Sequence, residues 1–197
     1  MAIKDASFTD FSESEDRPAS PRGTHHVWDI FVRIFHWSIV GLFTANAFFT
    51  SPKHDLHHYI GYTVAGLVTL RIIWGLVGSH HARFTSFPPS PSGALTQLRD
   101  MATGRRHAHL GHSPLGALMI YNLLVTLLVI AGSGYLMTTD AYWGVKWVEE
   151  LHVTAVDWAE ISVAAHIVAV IYESRRLRVN LARAMITGKK VFGRSGR

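Results

Sequence analysis

The sequence predicts an all-α chain, an integral membrane four-helix bundle, and three observations predict it. Four apolar blocks (residues 27–50, 56–77, 114–137 and 151–172) each hold about the ~20 residues that a helix rising ~1.5 Å per residue needs to cross ~30 Å of hydrocarbon. The mean hydropathy is +0.16 although both ends are polar, so the apolar residues are concentrated in those blocks. No long two-residue alternation and no repeat of fixed length competes with helices.

Residues 1–26 come first, with Asp5, Asp10, Glu13, Glu15 and Asp16 set against Lys4, Arg17 and Arg22, Ser and Pro between them and no apolar run. That composition predicts a disordered polar tail rather than a signal peptide. The membrane domain is expected over 27–176. Between its first two helices, Pro52 marks a tight turn near 51–55. The connection 78–113 is long, with the run Phe87-Pro88-Pro89-Ser90-Pro91, and leaves room for a short amphipathic surface helix around 93–103. Tyr142, Trp143 and Trp147 stand with Asp140, Glu149 and Glu150 in the third connection, 138–150, an aromatic and acidic mixture that suits the outer headgroup level. Residues 177–197 form a basic tail.

All 19 lysines and arginines except Lys53 and Lys146 fall on the side of the termini and the middle connection. The positive-inside rule therefore places both termini and that connection in the cytoplasm. The same distribution accounts for the basic isoelectric point without nucleic acid. With no cysteine there is no disulfide framework, iron–sulfur cluster or covalently attached haem, so any metal must be held by histidine.

There are 13 histidines, and one inside hydrocarbon is costly unless it is paired or bound to a metal. His152 and His166 lie fourteen residues apart on the fourth block, ~21 Å along a helix and only ~40° short of whole turns, so they share a face at opposite depths. Antiparallel topology sets His36 at the depth of His166, and His57 or His58 at the depth of His152. Four histidines paired in this way are what two low-spin haems require, one imidazole on each face of each macrocycle. His57 and His58 point ~100° apart, so only one of them serves. His25, His26, His54, His80, His81, His107 and His109 fall in tails or loops and are expected to be solvated.

Several stretches together resemble the prokaryotic di-haem cytochrome b561 family, which includes the b-type subunits of nickel–iron hydrogenases. They are Val27-Trp28-Asp29, Arg33-Ile34-Phe35-His36-Trp37, His57 with Gly61-Tyr62, and Arg71-Ile72-Ile73-Trp74-Gly75. GSHHARF (78–84), GHSPLGALM (111–119), Leu151-His152 with His166, and NLARAMITGK (180–189) complete the set, which spans about 27–190. The resemblance implies His36, His57, His152 and His166 as axial ligands of two non-covalent b-type haems, with His57 favoured over His58 by its HxxxG spacing. It also suggests that Arg33 and Arg71 either contact haem propionates or snorkel to the interface, that His112 either bonds a propionate or shapes the start of the third helix, and that Gly61, Gly66, Gly116 and Gly132 either admit a porphyrin or allow close helix contact. Asp157 and Glu160 depart from the family pattern and leave two readings open: a proton-pathway or quinone role, or an outer third of the fourth helix that projects from the bilayer or meets a partner. The function implied is transmembrane electron transfer between the quinone pool and a redox partner: a hydrogenase, a dehydrogenase or a soluble cytochrome. A superoxide:quinone oxidoreductase acting at the outer surface is one alternative, and a hydrogenase or dehydrogenase membrane anchor is another.

Overall fold

A computed structural model describes residues 23–104 and 113–192 of the chain. Four long helices form the bundle: α1 (Ile30–Phe48), α2 (Asp55–Val77), α4 (Pro114–Leu136) and α5 (Lys146–Leu177). All four are long and apolar enough to cross a membrane. A shorter helix, α3 (Pro91–Ala102), lies in the middle connection, and α6 (Leu181–Thr187) follows α5. Strands β1 (Gly23–His26) and β2 (Lys189–Phe192) pair antiparallel, Gly23 opposite Phe192 and His26 opposite Lys189, which brings the two described chain ends to one end of the bundle.

Close packing runs α1 on α2, α2 on α4, and α4 on both α3 and α5. The α1–α2 pair therefore meets α5 through long side chains rather than through backbone contact. Val64 and Val68 of α2 pack with Leu124 and Leu127 of α4 to form the buried core, and Phe35, Ile39, Leu42 and Phe43 of α1 lie against it. The α4–α5 contact is built from small residues, with Ala117, Ala155, Ala159 and Ser162 all buried, as close helix approach requires where lipid removes the hydrophobic drive to associate. Outward faces carry Val125, Leu128, Ile161 and Val168, the inverse of a water-soluble bundle.

Side chains cap the helix starts: Asp29 for α1, Ser90 for α3, Ser113 for α4 and Asn180 for α6, each accepting from a backbone N–H three residues on. Pro91 and Pro114 occupy opening positions of α3 and α4, where the missing N–H costs no bond. Gly188 ends α6 at φ 79, a conformation open to glycine, and its carbonyl accepts from the amides of both Val27 and Trp28.

Three boundaries differ from those expected. The polar tail 1–26 is not wholly disordered, because residues 23–26 form β1, and the basic tail 177–197 contains α6 and β2. Two ends held at one face of the bundle satisfy each other's backbone groups, a pairing with no local sequence signal. Finally, α5 extends about five residues beyond 151–172 at each end; its 32 residues span ~48 Å, well beyond the hydrocarbon, because the helix continues where hydropathy stops.

Candidate functional site

The four intramembrane histidines meet in two pairs. His36 of α1 faces His166 of α5 with ring centroids 6.5 Å apart and planes at 59°. At the other end of the bundle His57 of α2 faces His152 of α5 at 6.4 Å and 65°. His58 is exposed, its ring edge-on to that of His57. The helical phase that puts His152 and His166 on one side of α5 thus places one ring in each pair.

The second nitrogens of the rings have different surroundings. His152 Nδ1 lies 3.0 Å from the Ile130 carbonyl and 3.1 Å from Ser133 Oγ, both on α4. Gly134, on the same turn, packs against this ring, so closely that a Cβ there would sit 3.2 Å from His152 Cε1. His57 Nδ1 lies 3.3 Å from Thr50 Oγ1. His36 Nδ1 is buried with no hydrogen-bond partner among the described residues.

Two arginines stand at the His36–His166 end. Arg71 is 3% exposed, deep for a guanidinium. One of its nitrogens donates to the Ala82 carbonyl at 3.1 Å, the Phe84 ring lies 5.1 Å beneath its charge, and Nη1 is buried without a hydrogen-bond partner. Arg33 donates to the Ile186 carbonyl of α6, and its Nε is likewise buried without a partner. Both therefore keep N–H capacity for an acceptor, and a buried donor left unmet is expensive.

The surrounding frame ties several of the motif stretches to one another. Asp29 accepts from the Val32 amide at 2.8 Å, from Trp74 Nε1 at 3.0 Å and from the Ser79 hydroxyl, tying the start of α1 to the end of α2. Burial alone would raise its carboxyl; the donors Ser79, Val32 and Trp74 and the Arg71 charge outweigh that and hold it below the ordinary aspartate value. Phe84 lies over Gly75 so closely that no larger residue fits there unless the ring moves, and Arg83 Nε donates to the Gly78 carbonyl at 2.7 Å. Thr50, Ser133 and Gly134 were not singled out from sequence, since each acts on a histidine of the next long helix; the Asp29 partners Trp74 and Ser79 lie within the motif stretches. The acceptor chemistry of Ser and Thr near a helical histidine was the available signal.

Among the glycines, Gly61 stands one turn beyond His57 on nearly the same face, with nothing within 4 Å of a Cβ placed there. Gly66 lies nine residues past His57, on the opposite side of the helix, and Gly116 faces the capping hydroxyl of Ser113. Gly132 is exposed. His112 lies outside the described residues. Asp157 is exposed and Glu160 half-buried, and no ion pair among the described residues includes either.

A family model described as prokaryotic cytochrome b561 matches residues 27–188. The chain belongs to that family. It is a multi-pass membrane protein whose function is transmembrane electron transfer by a b-type cytochrome, and b-type haem is its implied cofactor. Searches of curated proteins and of solved structures each found no match. Within this cytochrome b561, stretches far apart in sequence converge at the end that carries β1 and β2: Val27 and Trp28 reach Gly188, Arg33 reaches Ile186, and Asp29 reaches Trp74 and Ser79.

Proposed function

We propose that the chain carries electrons between the membrane quinone pool and a redox partner through two haems b, one held by His36 and His166 and the other by His57 and His152. The observation that carries this proposal is the spacing of the rings. Metal–nitrogen bonds of ~2 Å plus the radius of each ring set opposed imidazole centroids roughly 6 Å apart, close to the 6.5 and 6.4 Å found in the two pairs. Among the described residues no three His, Asp or Glu side chains gather to hold a metal ion. Pairs rather than triads suit an ion whose other ligands come from a macrocycle.

Haem, when bound, supplies reversible one-electron chemistry. The protein contributes the rest. Held by two histidines each, the haems would have no position left open for oxygen, which would favour electron transfer. The unmet N–H groups of Arg71 and Arg33 suit propionate carboxylates, which would offset the desolvation of both charges. Gly61 keeps the face of α2 beside His57 low, as a flat ring system needs. His152 and His166, ~21 Å apart on one helix, set the two centres at opposite depths. The concentration of Lys and Arg at the termini supports cytoplasmic ends in a bacterial inner membrane, with the His57–His152 pair toward the outer side.

The test is a haem count on the purified chain followed by reduction trials. Two haems per chain, reduced by quinol, support the proposal; none or one would end it. Rapid reduction by superoxide with quinone as the acceptor would select the superoxide:quinone oxidoreductase alternative. A chain reduced only in the presence of a co-purifying hydrogenase or dehydrogenase would be an anchor subunit.

A further inference from the structure

The two histidine pairs differ in what holds their outer nitrogens. Thr50 has one hydroxyl proton, and Asn46 offers two oxygens to it, the backbone carbonyl at 2.8 Å and Oδ1 at 2.9 Å. With its proton engaged there, the Thr50 oxygen faces His57 Nδ1 as an acceptor, so Nδ1 carries the hydrogen and Nε2 keeps its lone pair. At His152 the Ile130 carbonyl can only accept, and Ser133 directs its own proton to the Val129 carbonyl at 2.6 Å. His152 is therefore also an Nδ1–H donor with Nε2 free. Both rings of this pair are fixed in the tautomer that binds a metal through Nε2, each with an acceptor behind it. In the other pair, His36 Nδ1 is buried with no such acceptor among the described residues, and the charges of Arg71 and Arg33 stand at that end.

We propose that Thr50 is a positioning residue for His57 and that, together with the Ile130 carbonyl behind His152, it makes the His57–His152 haem the lower-potential member of the pair. An acceptor behind an imidazole raises its basicity, which stabilises oxidised iron and lowers the potential. Nearby cations act in the opposite direction at the other haem. This inference rests on the four-histidine assignment above.

The experiment is an anaerobic optical redox titration of the haem-loaded full chain, compared with Thr50→Val, Thr50→Ser, His57→Ala and His36→Ala. The expected result has three parts. His57→Ala removes the lower-potential wave, Thr50→Val moves that wave alone to higher potential, and Thr50→Ser leaves it in place. If Thr50→Val instead sheds that haem alone while Thr50→Ser keeps it, the positioning role also stands. An unmoved wave, equal movement of both waves, loss of both haems in Thr50→Val, or a serine variant as perturbed as the valine one would overturn it. Removal of the higher wave by His57→Ala would overturn the order of potentials. Failure of the ligand assignment itself would show elsewhere, as fewer than two haems in the unaltered chain or as both haems surviving His57→Ala.

Discussion

His36 and His166 face one another at 6.5 Å from helices that do not pack closely on each other; α5 is held in place by α4 instead. That arrangement makes the histidine pairs separable. On the proposed two-haem assignment, replacing His166 with alanine should lower the haem content from two per chain to one, with helix content unchanged, because the helix packing through α4 does not involve the ring. His58→Ala should retain both haems, since His58 is exposed and the ring facing His152 is that of His57. A haem assay on the two variants checks this; loss of a haem in His58→Ala would exchange the roles of the neighbours.

Gly134 tests how tightly the His152 ring is held. A methyl group there would meet His152 Cε1 at 3.2 Å, and the ring cannot retreat freely because Nδ1 is fixed on the Ile130 carbonyl. Gly134→Ala should therefore cost about 1–3 kcal/mol, the range for overpacking a fitted site, and perturb the spectrum of one haem only. Gly41→Ala, with nothing within 4 Å of the new carbon, should leave both haems and the stability near their starting values. Equal effects of the two variants would remove the packing argument.

Which parts of this molecule were legible in the sequence follows from the range of the forces involved. Hydropathy acts over a whole span, so four spans were visible, and the helical phase and antiparallel depths were enough to pair His36 with His166. The α5 ends were missed because Lys146, Glu149 and Glu150 are polar, and a helix continues as long as its backbone hydrogen bonds do. The β1–β2 pairing joins segments more than 160 residues apart through backbone groups, which leave no side-chain pattern. Thr50 and Ser133 were overlooked for a related reason: a hydroxyl in an apolar block usually bonds to its own helix, as both of these also do. The glycine pattern left open whether Gly61 and Gly66 make room or allow close helix contact; both have open space beside them, Gly61 on the His57 side of α2 and Gly66 on the other.

Asn122 ties α4 to α5, donating to Ser162 Oγ at 2.9 Å and accepting from Trp158 Nε1 at 3.0 Å. Interhelical bonds of this kind inside a membrane contribute on the order of 1 kcal/mol. Asn122→Ala should destabilise the bundle by about 1–2 kcal/mol, measured by steric trapping or denaturant in micelles, and leave the haem count intact because neither partner is among the proposed ligands. Ser162→Ala combined with it should cost less than the sum of the two singles, as expected for residues that share a bond.

Asp29 supplies a pH dependence whose sign follows from its contacts. Its carboxyl titrates lower in the folded chain than the ordinary value of 3.8, so the ionised form contributes stability that is complete above that value and is lost as pH falls through the lower folded one. Asp29→Ala should cost about 1–2 kcal/mol at neutral pH through the lost α1 cap. It should also flatten the acid limb of the stability curve relative to the unaltered chain. Lys190 gives a control at the opposite limb: burial, partly offset by Glu173, pushes its ammonium down from 10.5 to about 8. The folded chain therefore disfavours the charged form, and the cost, full below about 8, fades as pH rises toward 10.5. Lys190→Met should remove that alkaline rise and leave the acid limb untouched. Thermal unfolding across pH for both variants separates the two groups, and an acid limb unchanged in Asp29→Ala would show that its contacts with Trp74 and Ser79 do not hold the carboxylate charged.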